Sequence, residues 1–174
     1  MRVIVTGATS FIGSHAVQTL INQGFEVCAL IRPNSAGKKN LEHMIIKKEL
    51  LEIIECELSG LKELAVNAEK LSKIGQKWSH NLGRADYWLH LGWDGSGSDN
   101  RKLADIQSMN VVYALDALET AAAAHCKRFL FCGSQAEYGV RNTTMRETDE
   151  LHPLSERLRL RWEERLLCVQ KCLA

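Results

Sequence analysis

Val5-Thr6-Gly7-Ala8-Thr9-Ser10-Phe11-Ile12-Gly13 joins a short apolar run to a helical pattern. Val3–Thr6 reads as a strand, and the apolar spacing predicts a helix from about Phe11 to Gln23, with Gly24 as its stop. Two glycines placed directly after a strand and across the start of a helix have a physical purpose. Gly7 permits a tight strand-to-helix turn, and Gly13 lets the helix pack closely on the sheet. Between them, around Thr9, Ser10, Phe11 and Ile12, backbone N–H groups at the helix N-terminus face an incoming pyrophosphate. Ser10 stands where the usual fingerprint has its middle glycine, which narrows the approach to the phosphate. The plainer alternative is an ordinary βα turn.

Outward from this loop, strand-like and helix-like segments alternate. Glu26–Ile31 is a second strand, ended by Pro33, and 34–48 is polar without a clear period. Leu51–Cys56 reads as a third strand and Leu61–Ile74 as a helix. Tyr87–Leu91 is a fourth strand, 101–125 a long amphipathic helix, and Arg128–Cys132 a fifth strand. Residues 155–172 read as helical but are dense in Arg, Glu and Leu. Strands alternating with helices imply βαβ units and a parallel sheet. Gly92–Asn100 is the most loop-like stretch, and it follows the fourth strand, on the edge where such sheets bind ligands.

Composition narrows the classes. The 174 residues have room for one domain, and 45% hydrophobic with 25% charged residues is ordinary for a soluble globular protein. A formal net charge of +1 carries no electrostatic footprint for nucleic acid. No apolar run is long enough to span a bilayer, and Met1–Gly7 is too short for a signal peptide. Of the six cysteines, Cys28, Cys56 and Cys132 fall in or beside strand-like runs as small hydrophobes, which fits a reduced, cytoplasmic setting. Cys168 and Cys172 are one helical turn apart but have no further ligands nearby, so no metal site is expected.

The end of the second strand selects the cofactor in dinucleotide-binding folds. Arg32 lies 19 residues past Gly13, where an acid would bind the ribose diol of NAD, and Pro33-Asn34-Ser35 follows it. A guanidinium suits a 2′-phosphate and offers nothing special to a free diol, so NADP is favoured over NAD. The alternative is a solvated surface arginine.

These residues resemble the extended short-chain dehydrogenases, the NAD(P)-dependent epimerase/dehydratase group, from Met1 to about Ser155. Thr6-Gly7-x-x-Ser10-x-x-Gly13 is similar to that family's phosphate loop. Glu57 and Leu58 sit where the family has an acidic residue near the adenine. His90-Leu91-Gly92-Trp93 resembles its His-Leu-Ala segment beside the cofactor, and Asn110 an Asn that braces the active site. Gly133-Ser134-Gln135-Ala136-Glu137-Tyr138-Gly139 resembles the segment carrying the catalytic Ser or Thr, here Ser134. His90 and Trp93 have packing roles as their alternative, and Asn110 that of an ordinary polar helix position. The resemblance implies a doubly wound Rossmann-type sheet of order 3-2-1-4-5 with helices on both faces. It also implies an epimerase, dehydratase or reductase that uses NADP(H) on a nucleotide sugar, as a homodimer.

The pattern then breaks. The family's Tyr-x-x-x-Lys pair exchanges a proton with a substrate hydroxyl, the Lys⁺ making a phenol of pKa near 10 usable at neutral pH. By register, Arg157 holds the Tyr position and Arg161 the Lys position. Arg161 keeps a positive charge, but a guanidinium cannot replace the phenol. The expected layout is one NAD(P)-binding domain over 1–174, matched over 1–155, with a divergent tail at 156–174 and no C-terminal substrate region. One set of codons read one base earlier turns that tail into AAAKMGRTALVCAKVLG from position 158, so a frameshift is an expectation to set beside a genuine short variant. The alternatives to an enzyme are a non-catalytic NADP-binding regulator and an incomplete gene product.

Overall fold

The computed structural model describes residues 1–72, 84–96, 100, 103–133, 138–139, 142–146, 148–150 and 152. Two compact units emerge, Met1–Phe131 and Cys132–Ala174.

The first unit is built on five parallel strands: β1 (Arg2–Thr6), β2 (Glu26–Ile31), β3 (Leu51–Glu55), β4 (Tyr87–His90) and β5 (Arg128–Phe131). They lie in the order β3-β2-β1-β4-β5, as the resemblance implied. The helices are α1 (Phe11–Asn22), α2 (Lys38–Met44), α3 (Leu61–Val66), α4 (Ala68–Ser72) and α5 (Ala104–Ala123).

Alternation along the central strands produces the two layers. Val3 and Val5 of β1 join Val27, Ala29 and Ile31 of β2 in one core cluster, closed by Val17 and Ile21 of α1 and Leu41 of α2. Ile4, Cys28 and Leu30 point the other way and meet Trp88, Phe129, Leu61, Leu64, Ala117 and Ala121 under α3 and α5. Strands covered on both faces read as continuous apolar runs, and this is why Val3–Val5 and Val27–Ile31 carry no polar residue. Each fully buried Val, Leu or Ile contributes roughly 1.5–3 kcal/mol.

The turn chemistry is local. Ser10 caps α1, its hydroxyl accepting from the Gly13 N–H at 3.0 Å, and Gly24 leaves the helix at φ +83°. Arg32-Pro33-Asn34-Ser35 closes with the Ser35 N–H donating to the Arg32 carbonyl at 3.2 Å, and Asn34 has φ +57°. Pro second and a left-handed Asn third are what a type II turn requires. At the opposite edge of the sheet, Asp86 accepts from the Arg2 N–H (2.9 Å) and from Lys127 Nζ (2.7 Å), tying together the starts of β1, β4 and β5. The Lys127 ammonium and the Arg2 amide hold the Asp86 carboxyl below its usual range.

Differences from the sequence reading are few. The polar stretch after β2 contains α2 and a 3-10 turn at Lys48–Leu50. The helix expected over Leu61–Ile74 breaks at Asn67, whose backbone is extended, and whose side chain accepts from the Lys70 N–H to start α4. The long helix runs from Ala104 to Ala123, with Leu103 extended at its start, and Arg101 lies outside the described residues. Cys28 is buried as expected, whereas Cys132, just past β5, is exposed. Among the described residues no helix is long and apolar enough to cross a membrane, and no cluster of His, Cys, Asp and Glu has the makings of a metal site.

In the second unit, Gly139 has φ +71°, and a Cβ there would run into the His152 carbonyl oxygen. The Arg146 N–H donates to Asp149 Oδ2 at 2.9 Å. Ser134, Arg157, Arg161, Cys168 and Cys172 lie outside the described residues, as does the helix expected over 155–172.

Candidate cofactor site

A strand order that grows one way from β1 to β3 and the other way from β4 to β5 leaves a crevice past the ends of β1 and β4. The two strand ends touch there. Gly7 sits at φ +69°, and a Cβ on it would lie 2.6 Å from the Leu91 carbonyl carbon and 2.7 Å from the Gly92 nitrogen. Only glycine allows both the backbone conformation and the approach. At Gly13 a Cβ would lie 2.1 Å from the Gly7 carbonyl oxygen and 2.9 Å from the Ala8 Cα. Gly13 thus lets α1 close on the turn that precedes it, rather than on the sheet as the spacing indicated.

A cleft of about 570 Å³ opens above this junction. Gly7, Thr9 and Ser10 line it at the start of α1, Arg32 at the end of β2, Glu57 and Leu58 after β3, and Leu91, Gly92 and Trp93 after β4. Nine sequence-predicted residues from four separate connections therefore share one cleft. Five do not line it. Phe11 and Ile12 are exposed on the first turn of α1, and Gly13 is packed behind the loop. Asn34 is the left-handed residue of the turn after Arg32. Asn110 is buried, and its side chain is engaged by backbone. The Asp94 N–H donates to its Oδ1 at 2.7 Å, and its Nδ2 donates to the Asp94 carbonyl at 2.9 Å. Asn110 thus braces the loop after β4.

That loop is held from α5 at a second point. Trp93 Nε1 donates to Gln107 Oε1 at 2.9 Å, while Gln107 Nε2 donates to the carbonyls of Gly95 (3.3 Å) and Asn100 (3.0 Å). Below it, Thr6 Oγ1 accepts from the Gly92 N–H at 3.3 Å and is hydrogen-bonded to His90 Nδ1 at 2.8 Å. His90 stacks beside Phe129 and Phe131 of the neighbouring strand β5, with ring centroids 6.0 and 5.8 Å away. Burial pushes its pKa down to about 4, so at neutral pH it is an uncharged strut.

The electrostatics favour a phosphate at the Gly7–Ser10 end. The first turn of α1 holds no acidic side chain, the Gly13 N–H is taken by the Ser10 cap, and the Phe11 and Ile12 N–H groups have no partner among the described residues. Arg32 is exposed and has no ion-pair partner among the described residues. Sequence reasoning missed Ser35 and Gly37, which dock on Thr9. The Ser35 hydroxyl donates to Thr9 Oγ1 at 2.9 Å, and a Cβ on Gly37 would lie 2.6 Å from the Thr9 carbonyl oxygen. It also missed Tyr113, which lines the cleft from α5. The Pro-Asn turn is a readable signal for the first pair; Tyr113 has none beyond its place one turn after Asn110.

Comparison with known proteins agrees with this geometry. The profile described as the NAD dependent epimerase/dehydratase family matches residues 3–158. A UDP-glucose 4-epimerase of Yersinia enterocolitica is 25% identical over 92% of the chain and 42% of its own length. A bifunctional UDP-glucose and UDP-xylose 4-epimerase of Arabidopsis thaliana is 29% identical over 79% of the chain and 38% of its own length. The chain thus spans about two fifths of the length of these relatives. Among solved structures, the UDP-Glc/GlcNAc 4-epimerase of Campylobacter jejuni superposes with a TM-score of 0.72 at 21% identity, covering 98% of this chain and 49% of that one. A UDP-glucose 4-epimerase of Stenotrophomonas maltophila with bound NAD gives 0.73 at 19% identity, covering 96% of this chain and 48% of that one. The chain belongs to the NAD dependent epimerase/dehydratase family.

Proposed function

We propose that this chain binds a nicotinamide dinucleotide in the cleft past β1 and β4, as the cofactor-holding part of an oxidoreductase acting on a nucleotide sugar. The observation that carries the reading is the convergence of Gly7, Thr9, Ser10, Arg32, Glu57 and Leu91–Trp93 on one cleft at the switch point of the sheet. The residues fit such a ligand: a helix N-terminus free of acids for the pyrophosphate, a carboxylate and an apolar wall at Glu57 and Leu58, and a braced loop at Leu91–Trp93. The bound cofactor supplies hydride transfer. The chain's own residues orient it, Thr6 and Asn110 by fixing the loop and Gly7 by keeping the strand ends in contact. Relatives named for UDP-glucose and UDP-xylose support a UDP-sugar as substrate. In this reading Ser134 hydrogen-bonds the substrate hydroxyl, and a cytoplasmic setting agrees with the free thiols of Cys56, Cys126 and Cys132.

NADP(H) is the preferred form, through Arg32. An unpaired guanidinium beside the cleft is placed for a 2′-phosphate, and its loss should cost on the order of 1.5–3 kcal/mol, the scale of a charged hydrogen bond. Titrating NADP(H) and NAD(H) against wild type and Arg32→Asp tests this. Tighter NADP(H) binding in wild type that is lost in Arg32→Asp is expected. Equal affinities in wild type, or a variant that keeps the preference, overturn it. A second reading, a cofactor-binding protein without turnover, is favoured by Arg157 at the position of the family's phenol.

A further inference from the structure

We infer that Tyr113 forms a wall of the base subsite, its ring packing against the purine of the dinucleotide opposite Leu58; this rests on the proposed cofactor reading.

The placement follows from the face that α5 turns toward the sheet. Asn110, Ala117, Ala121 and Ala124 are all buried at 0–2% exposure, and their spacing is that of one helical stripe. Ala117 and Ala121 carry no bulk, which lets the helix close on Ile4 and Trp88 in the same core cluster. Tyr113 lies on the same stripe, one turn beyond Asn110 and one turn before Ala117. Parallel strands joined by crossover helices make α5 run back against the strands, so its first half stands past their ends. Asn110, at the start of this stripe, holds the Asp94 backbone past the end of β4, and Tyr113 one turn on lines the cleft. A large half-buried aromatic stands at that point, where alanines occupy the following turns.

The wall it faces is defined. α5 packs on the Leu58–Gly60 turn, and Leu58 Cδ2 reaches so far in that a Cβ on Gly92 would lie 2.7 Å from it. Leu58, Glu57 and Tyr113 line the same cleft as Arg32. An apolar side chain, an aromatic ring and a carboxylate acceptor are the means by which a purine is held: packing on its faces and a hydrogen bond from its exocyclic amine. The ribose end is marked by Arg32 and the pyrophosphate end by Ser10, so the base falls between Leu58 and Tyr113. The hydroxyl of Tyr113 makes no hydrogen bond among the described residues, leaving the ring as the group that acts.

The experiment titrates the purified 174-residue chain with NADPH, with 2′-phospho-ADP-ribose and with nicotinamide mononucleotide. Wild type is compared with Tyr113→Phe, Tyr113→Leu and Tyr113→Ala. Base–aromatic packing of this kind corresponds to roughly 5- to 100-fold in affinity. Tyr113→Ala should lose about that much for the two purine-bearing ligands and nothing for the mononucleotide. Tyr113→Phe should bind like wild type, and Tyr113→Leu, which keeps bulk without a ring, should fall between. Equal loss for all three ligands, or full retention of 2′-phospho-ADP-ribose by Tyr113→Ala, overturns this inference while leaving the cofactor reading intact. Wild type that binds no dinucleotide overturns both.

Discussion

His90 and Thr6 show how single side chains at the base of the cleft do structural work with chemical consequences. His90 is buried beside two phenylalanine rings, its Nδ1 is used by Thr6, and its Nε2 has no partner among the described residues. A proton on that ring would be a buried charge without a counter-ion, which is why its pKa falls from 6.5 to about 4. The unfolded chain takes up this proton near pH 6.5 and the folded chain only near pH 4. The stability His90 contributes is therefore complete above pH 6.5 and declines as the pH falls toward 4. Below that window the loss is about 3 kcal/mol. Asp86, also shifted downward, acts at lower pH and does not blur the interval. Urea unfolding at pH 7.5 and 4.5 should show a decline in wild type that His90→Gln removes in large part. Parallel declines in the two proteins would exclude His90 as the cause.

At the level of elements, the loop between β1 and α1 carries two tasks in nine residues. Ser10 was read as a departure that narrows a phosphate approach; in the fold it is the helix cap. Its hydroxyl accepts from the Gly13 N–H at 3.0 Å, and its own N–H donates to the Gly7 carbonyl at 3.0 Å. A glycine there would open the approach and forgo the side-chain cap. Replacing an N-cap serine by alanine costs typically about 1 kcal/mol, by glycine only a few tenths. Thermal unfolding should thus rank wild type, Ser10→Gly and Ser10→Ala in falling order. The Gly13 amide should exchange its proton faster in Ser10→Ala. Unchanged exchange in that variant would mean that the cap does not form in solution. α5 shows the same economy: alanines at 117 and 121 set its closeness to the sheet, and Asn110 on the same stripe fixes the loop after β4.

For the whole molecule, the expected outcome with UDP-glucose and NADP⁺ or NAD⁺ is binding without family-like turnover. The resemblance puts Arg157 and Arg161 at the family's phenol and lysine positions, and on that proposed register the acid/base contribution, worth about 100- to 10,000-fold, would be lost. Measuring hydride transfer or epimer formation by the purified chain decides this. Robust turnover that Ser134→Ala abolishes would show another group acting as the proton donor. The alternation of apolar runs and helical stripes, with glycines placed around one strand-to-helix turn, already specified the parallel sheet, its order through the resemblance, and nine cleft residues. That was legible because strand burial and phosphate turns depend on residues adjacent in the chain. It did not reveal that Gly13 serves the turn itself, that Asn110 is engaged by the Asp94 backbone, that Ser35 and Gly37 dock on Thr9, or that Tyr113 lines the cleft. These depend on how far one element approaches another and on the rotation of α5 about its axis. Both are set by packing between segments far apart in sequence, and no local pattern encodes them.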